Sequence, residues 1–416
     1  MSWPSNSSVL NGDLDRELTR EQVVKLNRQF AQSDAELGFE VSDEFEPFNQ
    51  MNDMFTRAFW DDTVKSDNTD GFFNSYRIDF APRRGDGFNQ KDFALRNAAW
   101  SISDIISNRG NKTGEREGFQ SPIKDDTPIA TDKISVEDTT AQSAEIKRIA
   151  RLFGADLVGI TEVDKRWHYS HRVDTRDFSP VANTLPEDIT HVIVMGHAMD
   201  ADLVDTYPSA LAGASTGIEY SHEAAIVIQL ATYIRNLGYE AVASMNDTAL
   251  VIPYAIKAGL GEYGRNQMVL TPEYGPRVRF SKIFTSLPLT SDNPKPLGIR
   301  QYCEICTRCA DACPPKALPF TDPTDKPQNQ STIAHVKKWS ADCEKCFGYW
   351  AKLKTDCAIC MRVCPFNRPT SVLSNLWYWL ATSRLRRLAV WWDKKRGVRG
   401  RVKAKDWWQA VTYKAR

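Results

Sequence analysis

The chain has 416 residues, more than one average domain, and its 53 Lys and Arg balance 53 Asp and Glu. That balance gives no general argument for a nucleic-acid partner, and no apolar run approaches the roughly 18 residues needed to cross a bilayer. The polar start, Met1-Ser-Trp-Pro-Ser-Asn6, has neither a twin arginine nor the apolar stretch of an export signal. A cytoplasmic protein is expected, or one on the outer face of the cytoplasmic membrane if a leader has been removed.

Residues 1 to about 50 are polar, with a helical spacing of apolar residues from Arg16 to Asn27. Aromatics and methionines then gather in Met51–Asp62 and at Phe72, Phe73 and Tyr76, and Asp92–Ile106 reads as an amphipathic helix. The stretch 108–140 is rich in Gly, Lys, Asp, Thr and Pro and reads as a long loop or linker, a kind of segment that is usually functional or mobile. From Ser143 helices and strands alternate. Helices are expected over Ser143–Gly154, His222–Asn236 and Val251–Leu260, and strands over Leu157–Thr161, His191–Met195, Met268–Leu270 and Val278–Phe284. This is an α/β or α+β core. The tail from Ser383 sets twelve basic residues against two acidic ones and carries Trp391, Trp392, Trp407 and Trp408. It suits a membrane-surface or partner-docking element. The reading preferred is terminal helices that pack their aromatics on the core and leave a basic face in solvent.

All nine cysteines lie between Cys303 and Cys364. Cys303-Glu-Ile-Cys306-Thr-Arg-Cys309-Ala-Asp-Ala-Cys313-Pro314 is the C-x2-C-x2-C-x3-C-P run of a bacterial two-cluster ferredoxin, whose fourth cysteine ligates the other cluster. Cys357-Ala-Ile-Cys360-Met-Arg-Val-Cys364-Pro365 closes the stretch, with Cys343 and Cys346 between. Two 4Fe–4S clusters follow: Cys303, Cys306, Cys309 and Cys364 for cluster one, and Cys313, Cys346, Cys357 and Cys360 for cluster two. Cys343 is spare. Structural zinc would need only four of these thiols, and a disulfide framework belongs to small secreted domains and leaves an odd cysteine.

Gly259-Leu-Gly261-Glu-Tyr-Gly264 matches G-x-G-x-x-G, but a dinucleotide fingerprint needs a strand before it and a helix after it. Here the order is reversed. These glycines are expected to make turns or to let the backbone pass close to a bulky cofactor.

The run Ile252-Pro-Tyr-Ala-Ile-Lys-Ala-Gly-Leu-Gly-Glu-Tyr-Gly-Arg-Asn266, the segments Leu270–Arg279 and Phe284–Leu289, and then the cysteine motifs resemble the corrinoid-dependent reductive dehalogenases. Phe55–Asp61 and Asp92–Trp100 extend the resemblance into the N-terminal part. Epoxyqueuosine reductase, a cobamide enzyme acting on tRNA, shares the core and the two-cluster module. The resemblance implies an α+β fold, a nitroreductase-like cobamide-binding core with an inserted two-cluster ferredoxin module. The expected division is an aromatic-rich segment covering the site (1–140), the cobamide-binding core (141–300), the ferredoxin module (301–367), and the rest of the core with the basic tail (368–416). The cobamide would be bound base-off, in keeping with the absence of a D-x-H-x-x-G ligand motif.

By the same resemblance Tyr220 is the proton donor, supported by Arg279 and Asn246, with Arg277 the competitor of Arg279. Thr216, one turn before Tyr220, together with Trp350, Trp60 and Trp100, would form the substrate pocket. Gly259, Gly261, Gly264, Arg265 and Asn266 would touch the cofactor. His222 is the usual suspect for an acid, since its pKa lies near neutrality, but it is assigned to a core or supporting role. The implied activity replaces carbon–halogen by carbon–hydrogen in a small halogenated organic substrate, with electrons from a separate low-potential donor and no nucleic acid. Contact with a membrane surface or anchor protein, and a homodimer, are left open. The alternatives are an epoxyqueuosine reductase-like enzyme, disfavoured by the neutral charge, and a non-catalytic iron–sulfur carrier, which has no need of some 300 residues upstream.

Overall fold

The computed structural model describes residues 18–106, 118–123, 127–175, 177–294, 296–368, 371–398 and 400–410. The first helix, α1 (Arg20–Leu37), is opened by a capping box in which Thr19 and Gln22 each bond the other's backbone N–H, and is closed by Gly38 at φ 76°. Three more helices, α2 (Met54–Trp60), α3 (Asp67–Asn74) and α4 (Gln90–Ile106), carry the N-terminal aromatics. Next, α5 (Thr139–Phe153) ends at Gly154 with φ 118°, where the sequence places its stop.

The core that follows contains β1 (Leu157–Glu162), β2 (His171–Asp174), β3 (Ser179–Ala182), β4 (His191–Ala198), α6 (Ala201–Val204), α7 (Ala210–Asn236), β5 (Ala241–Ser244), α8 (Val251–Lys257), β6 (Glu262–Tyr263), β7 (Val269–Leu270) and β8 (Val278–Thr285). An antiparallel sheet runs in the order β1-β4-β8-β5. Its middle strands are apolar at successive positions because both faces are covered. Ile193, Met195 and Ile283 pack with Val227 and Leu230 of α7, while Val192, Val194 and Phe284 pack with Tyr254 and Ile256 of α8.

The helix α7 starts twelve residues earlier than the sequence pattern suggests. Residues 210–217 are mostly Ala, Gly, Ser and Thr and show little amphipathic signal, because α4 lies close against them. A Cβ on Gly213 would meet Arg96, and one on Gly217 would stand 2.4 Å from Trp100 Cδ1. The stretch read as a linker is also partly structural. Its residues 108–117 and 124–126 lie outside the described residues, but Phe119 is buried in the core beside α7.

A buried ion cluster fastens α1 to the core. The Arg166 guanidinium lies 2.7 Å from Asp164 and 2.8 Å from Asp34, and Lys257 Nζ is 2.6 Å from Asp164. These partners hold the Asp164 carboxyl below its usual range despite burial. Arg166→Ala leaves two buried carboxylates sharing Lys257, which is 2.6 Å from Asp164 and 3.3 Å from Asp34, so it should cost about 3 kcal/mol and lower the anaerobic unfolding midpoint accordingly. An unchanged midpoint would remove this cluster as the anchor of α1.

The cysteine module is built on α9 (Ile299–Ile305), α10 (Arg308–Ala312), α11 (Cys343–Leu353) and α12 (Ile359–Arg362), and the tail forms α13 (Val372–Thr382), α14 (Arg386–Arg396) and α15 (Ala404–Gln409). The tail divides in two. Trp377 is buried, and Trp407 and Trp408 pack near Leu95 and Leu211, as the preferred reading expects. Trp379 and Trp391 instead face outward. No helix among the described residues is long and apolar enough to cross a membrane.

Candidate active site

Tyr220 projects from α7 with its ring stacked on Trp100 of α4 (4.8 Å, 25°) and tilted against Phe119 (5.0 Å). Its hydroxyl oxygen accepts a hydrogen bond of 3.0 Å from Asn246 Nδ2. Asn246 follows β5 and is pinned through its backbone. Its N–H donates to Phe119 O at 3.1 Å, and its carbonyl accepts from Tyr169 Oη at 3.1 Å. Arg279, paired with His197 across β8 and β4, brings its guanidinium to 5.8 Å from the Tyr220 ring centre. Thr216 faces the same place from one turn earlier on α7: its Oγ1 accepts from Arg279 at 3.4 Å and lies 2.9 Å from the Tyr207 hydroxyl. Arg277 points elsewhere, donating to Met199 O at 2.9 Å and lying over Tyr274. The three polar residues read from the sequence therefore meet, and the competing arginine does not.

The stack depends on a small residue. Gly217 leaves room for the Trp100 indole, and any Cβ there would collide with it. Gly217→Ala is expected to displace Trp100 from Tyr220 and cost about 1–3 kcal/mol by overpacking. The checks are a lower melting temperature and a change in tryptophan fluorescence. An unchanged melt would mean that α4 shifts without strain.

Asn246 also lines a cavity of about 330 Å³ with Tyr169, Trp167, Val251, Ile256, Trp339 and Cys343. The lining is largely apolar, and the buried indole N–H of Trp167 has no hydrogen-bond partner among the described residues. That is a donor in search of an acceptor, which suits a bulky cofactor bearing amides. Cys343, spare by spacing, faces this cavity.

Several expected residues stand elsewhere. Gly259, Gly261 and Gly264 do not line the cavity. Gly259 makes a left-handed turn at φ 75°, Gly261 packs on the Leu270 backbone, and Gly264 on the Leu270 side chain. Arg265 and Asn266 belong to the cysteine module. The buried Arg265 guanidinium donates to the carbonyls of Cys303, Cys306, Glu304, Pro319 and Thr321 at 2.9–3.1 Å, fixing the loop that presents the thiols. Trp60 is tied to Met51 O at 2.8 Å and does not pack on Tyr220. Trp350 reaches the site at one remove, 6.0 Å from Phe55, whose ring is 5.8 Å from Phe119. His222 is not a core histidine: its side chain is 55 % exposed on the outer face of α7, 3.6 Å from Glu219.

The cysteines fall into two sets. Cys303, Cys306, Cys309 and Cys364 line one space together with Arg265, Asn266 and Tyr302. Burial and then the closeness of Cys303 raise the Cys364 thiol. Burial and then Cys346, Cys357 and Cys313 raise Cys360. Cys309 borders both sets, since after burial it feels Cys360 most and then Cys306. Among the described residues no three ligating side chains converge on one ion, and thiols arranged round a cubane have no need to, since each binds a different iron.

Glu223, one turn beyond Tyr220, went unnoticed in the sequence. It is fully buried and neither carboxyl oxygen has a hydrogen-bond partner among the described residues. Burial raises its pKa well above the usual value, opposed by Arg279 and Lys282 and assisted by Glu219. The unfolded chain therefore releases this proton at lower pH than the folded one. The related stability is complete below the unfolded pKa, about 4.3, and is lost as pH rises toward the folded value. Glu223→Gln should melt higher than the parent by a margin that is larger at pH 8 than at pH 5.5. A pH-independent margin would contradict a raised Glu223.

Comparison with known proteins agrees with this architecture. The family description "Reductive dehalogenase subunit" matches residues 174–289, and "4Fe-4S double cluster binding domain" matches 302–367. A tetrachloroethene reductive dehalogenase of Desulfitobacterium hafniense is 30 % identical over 68 % of this chain and 63 % of its own length. An epoxyqueuosine reductase of Cyclobacterium marinum is 35 % identical over only 28 % of this chain and 36 % of its own. A solved reductive dehalogenase, described with a mechanism for B12-dependent dehalogenation, superposes with a TM-score of 0.67 at 21 % identity, covering 87 % of this chain and 48 % of that one. The chain thus spans about half to two thirds of the length of these dehalogenases. With the Desulfitobacterium hafniense relative covering two thirds of it, and the two family matches running from residue 174 to the last cysteine motif, the chain belongs to the reductive dehalogenase family.

Proposed function

We propose that this protein is a reductive dehalogenase that converts a small organohalide R–X, with two electrons and one proton, into R–H and halide. The observation that carries the reading is the Tyr220–Asn246–Arg279 group, whose Asn246 lines an apolar cavity, in a chain that also carries a two-cluster module. In this reading the antiparallel sheet with its helices is the nitroreductase-like core (141–300), and residues 1–140 cover the site.

The cavity residues Trp167, Tyr169 and Asn246 would hold a base-off cobamide, whose cobalt supplies the chemistry that breaks the carbon–halogen bond. The chain's own residues manage the proton. Tyrosine keeps its proton at neutral pH, with a reference pKa of about 10. A guanidinium beside it favours phenolate and so eases the transfer. Asn246 fixes the oxygen and stabilises it after the proton leaves. Tyr207, through Thr216, holds Arg279 in place. Trp100, Phe119, Phe55 and Trp350 form an aromatic wall that excludes water and suits a halogenated substrate. The two cysteine sets would hold 4Fe–4S clusters, which would supply electrons drawn from a separate low-potential donor.

The test is anaerobic turnover of the cobamide- and iron-loaded protein with reduced viologen across halogenated alkenes, phenols and alkanes, reading halide. Release above the viologen background for one class supports the proposal. Full cobamide loading with no halide from any class would sink it.

A further inference from the structure

Thr216, Tyr220, Glu223 and Val227 recur on α7 at helical spacing and are all buried, so they form one stripe of the helix. That stripe packs on β8, where Arg279, Ser281 and Ile283 share a face. Arg279 meets Thr216 and Tyr220, and Ile283 shares the core with Val227. Glu223 therefore falls between these two contacts. Two complementary groups are left open there. Neither carboxyl oxygen of Glu223 has a hydrogen-bond partner among the described residues, and neither does Nε of Arg279. The bond described for this guanidinium, from Nη2 to Thr216 Oγ1, is long at 3.4 Å. Buried groups of this kind are normally paired. What keeps these two apart is a proton, since burial holds Glu223 in its neutral form and a neutral acid pulls only weakly on a cation.

The other charges around this stripe are engaged or lie elsewhere. Lys282 of β8 donates to Met245 O and, at 3.0 Å, to Asp247 O. His197 of β4 lies 2.8 Å from Ser281 Oγ, the residue between Arg279 and Ile283. Glu219, one turn back on α7, is 3.6 Å from His222 and, as a like charge, helps to keep the proton on Glu223. The strand β5 carries no titratable side chain. The helix α4, with Arg96 and Asp104, meets α7 on another side, through Gly217 and Ser221. On α5, Glu145 accepts from Tyr233, further along α7, and α6 meets the start of the helix at Leu211. Arg279 is thus the cation left to answer a charge on Glu223.

We propose that Glu223 is a positioning residue for the proton donor: protonated, its carboxyl leaves Arg279 beside Tyr220 and Thr216, and ionised, it takes the guanidinium for itself. Tyr220 then loses the charge that eases its proton transfer. The one bond broken in the switch is the O–H of the carboxyl, whose proton goes to solvent base, and the charge formed is met by Arg279. Halide release should therefore fall as pH rises through the ionisation of Glu223. The role rests on the proposed reaction, because it acts through Arg279 on Tyr220.

Two measurements test it, both on the iron- and cobamide-loaded protein. Infrared difference spectra against Glu223→Gln should show, at neutral pH, the carbonyl band of a protonated carboxyl that makes no hydrogen bond. Raising the pH should remove that band. In Arg279→Gln it should persist to a pH higher by about one unit or more, the usual influence of an opposite charge. Halide release by the parent should fall about tenfold over the pH range in which its band disappears. That fall should move to higher pH in Glu223→Gln and in Glu223→Met, and should be missing in Arg279→Gln. The proposal is overturned if the band is absent at neutral pH or if its loss is unmoved in Arg279→Gln. It is also overturned if both Glu223 variants keep the alkaline fall where the parent has it. Halide from no substrate, with the infrared shift present, would instead overturn the proposed reaction and leave the coupling of Glu223 to Arg279 standing.

Discussion

Tyr220→Phe should lower halide release by about 10²–10⁴-fold, the usual contribution of a positioned proton donor, while leaving the cobamide and iron load intact. Phenylalanine keeps the ring that stacks on Trp100 and packs on Phe119. The oxygen and its hydrogen bond from Asn246 are lost, a stability change of about 1 kcal/mol. The loss should appear in kcat with KM nearly unchanged, because the proton is needed only as the carbon–halogen bond breaks. Arg279→Gln should follow the same pattern less severely, and adding it to Tyr220→Phe should cost little more, since the two act as one unit. A Tyr220→Phe enzyme of full activity would remove Tyr220 from the mechanism and leave the proton to another group.

The second large effect concerns Cys364. It lies 61 residues after Cys303, yet its thiol shares a buried space with Cys303, Cys306 and Cys309. Cys364→Ser should drop iron from about eight per chain to about four and remove the same electron paramagnetic signal as Cys303→Ser. The signal lost in Cys313→Ser should persist. Cys343→Ser should leave iron at about eight, since that thiol lines the neighbouring cavity. If Cys364→Ser removed the Cys313 signal instead, the crossing of the two motifs would be wrong. Cys364 also packs with Tyr302 and Trp377 in one core, so the variant is expected to melt lower than Cys343→Ser.

The sequence was legible wherever the chemistry is local. Cysteine spacing is a local property, because three thiols two residues apart can wrap one cluster, and the double-cluster match spans that stretch. Three of the four sheet strands, β1, β4 and β8, and α5 were readable from runs of apolar residues and from Gly154, since burial on two faces and a left-handed stop leave direct marks on composition, whereas the short β5 was not. The start of α7 was hidden because helix–helix proximity selects Ala and Gly, which also populate loops. Phe119 was missed for a related reason. It sits in a polar, glycine-rich stretch, and only its packing on Tyr220 shows that the stretch enters the core.

By itself the sequence determined the cysteine spacing for two clusters, while a tyrosine, an asparagine and an arginine were singled out by resemblance to the reductive dehalogenases. It could not determine which of them meet. Tyr220, Asn246 and Arg279 come from a helix, a strand end and a strand separated by up to 59 residues, and their convergence is set by sheet order. Arg277, only two positions earlier, lies before β8 begins at Val278, in the turn after Tyr274, and its guanidinium goes to Met199 O instead. Only the fold moved Arg265 from the cofactor to the cysteine loop, because a buried guanidinium goes where five carbonyls need donors. Only the fold divided the tail's tryptophans, burying Trp377 on Asp393 while leaving Trp379 and Trp391 outside. Composition states how much aromatic surface a chain has, whereas burial depends on which neighbours reach it.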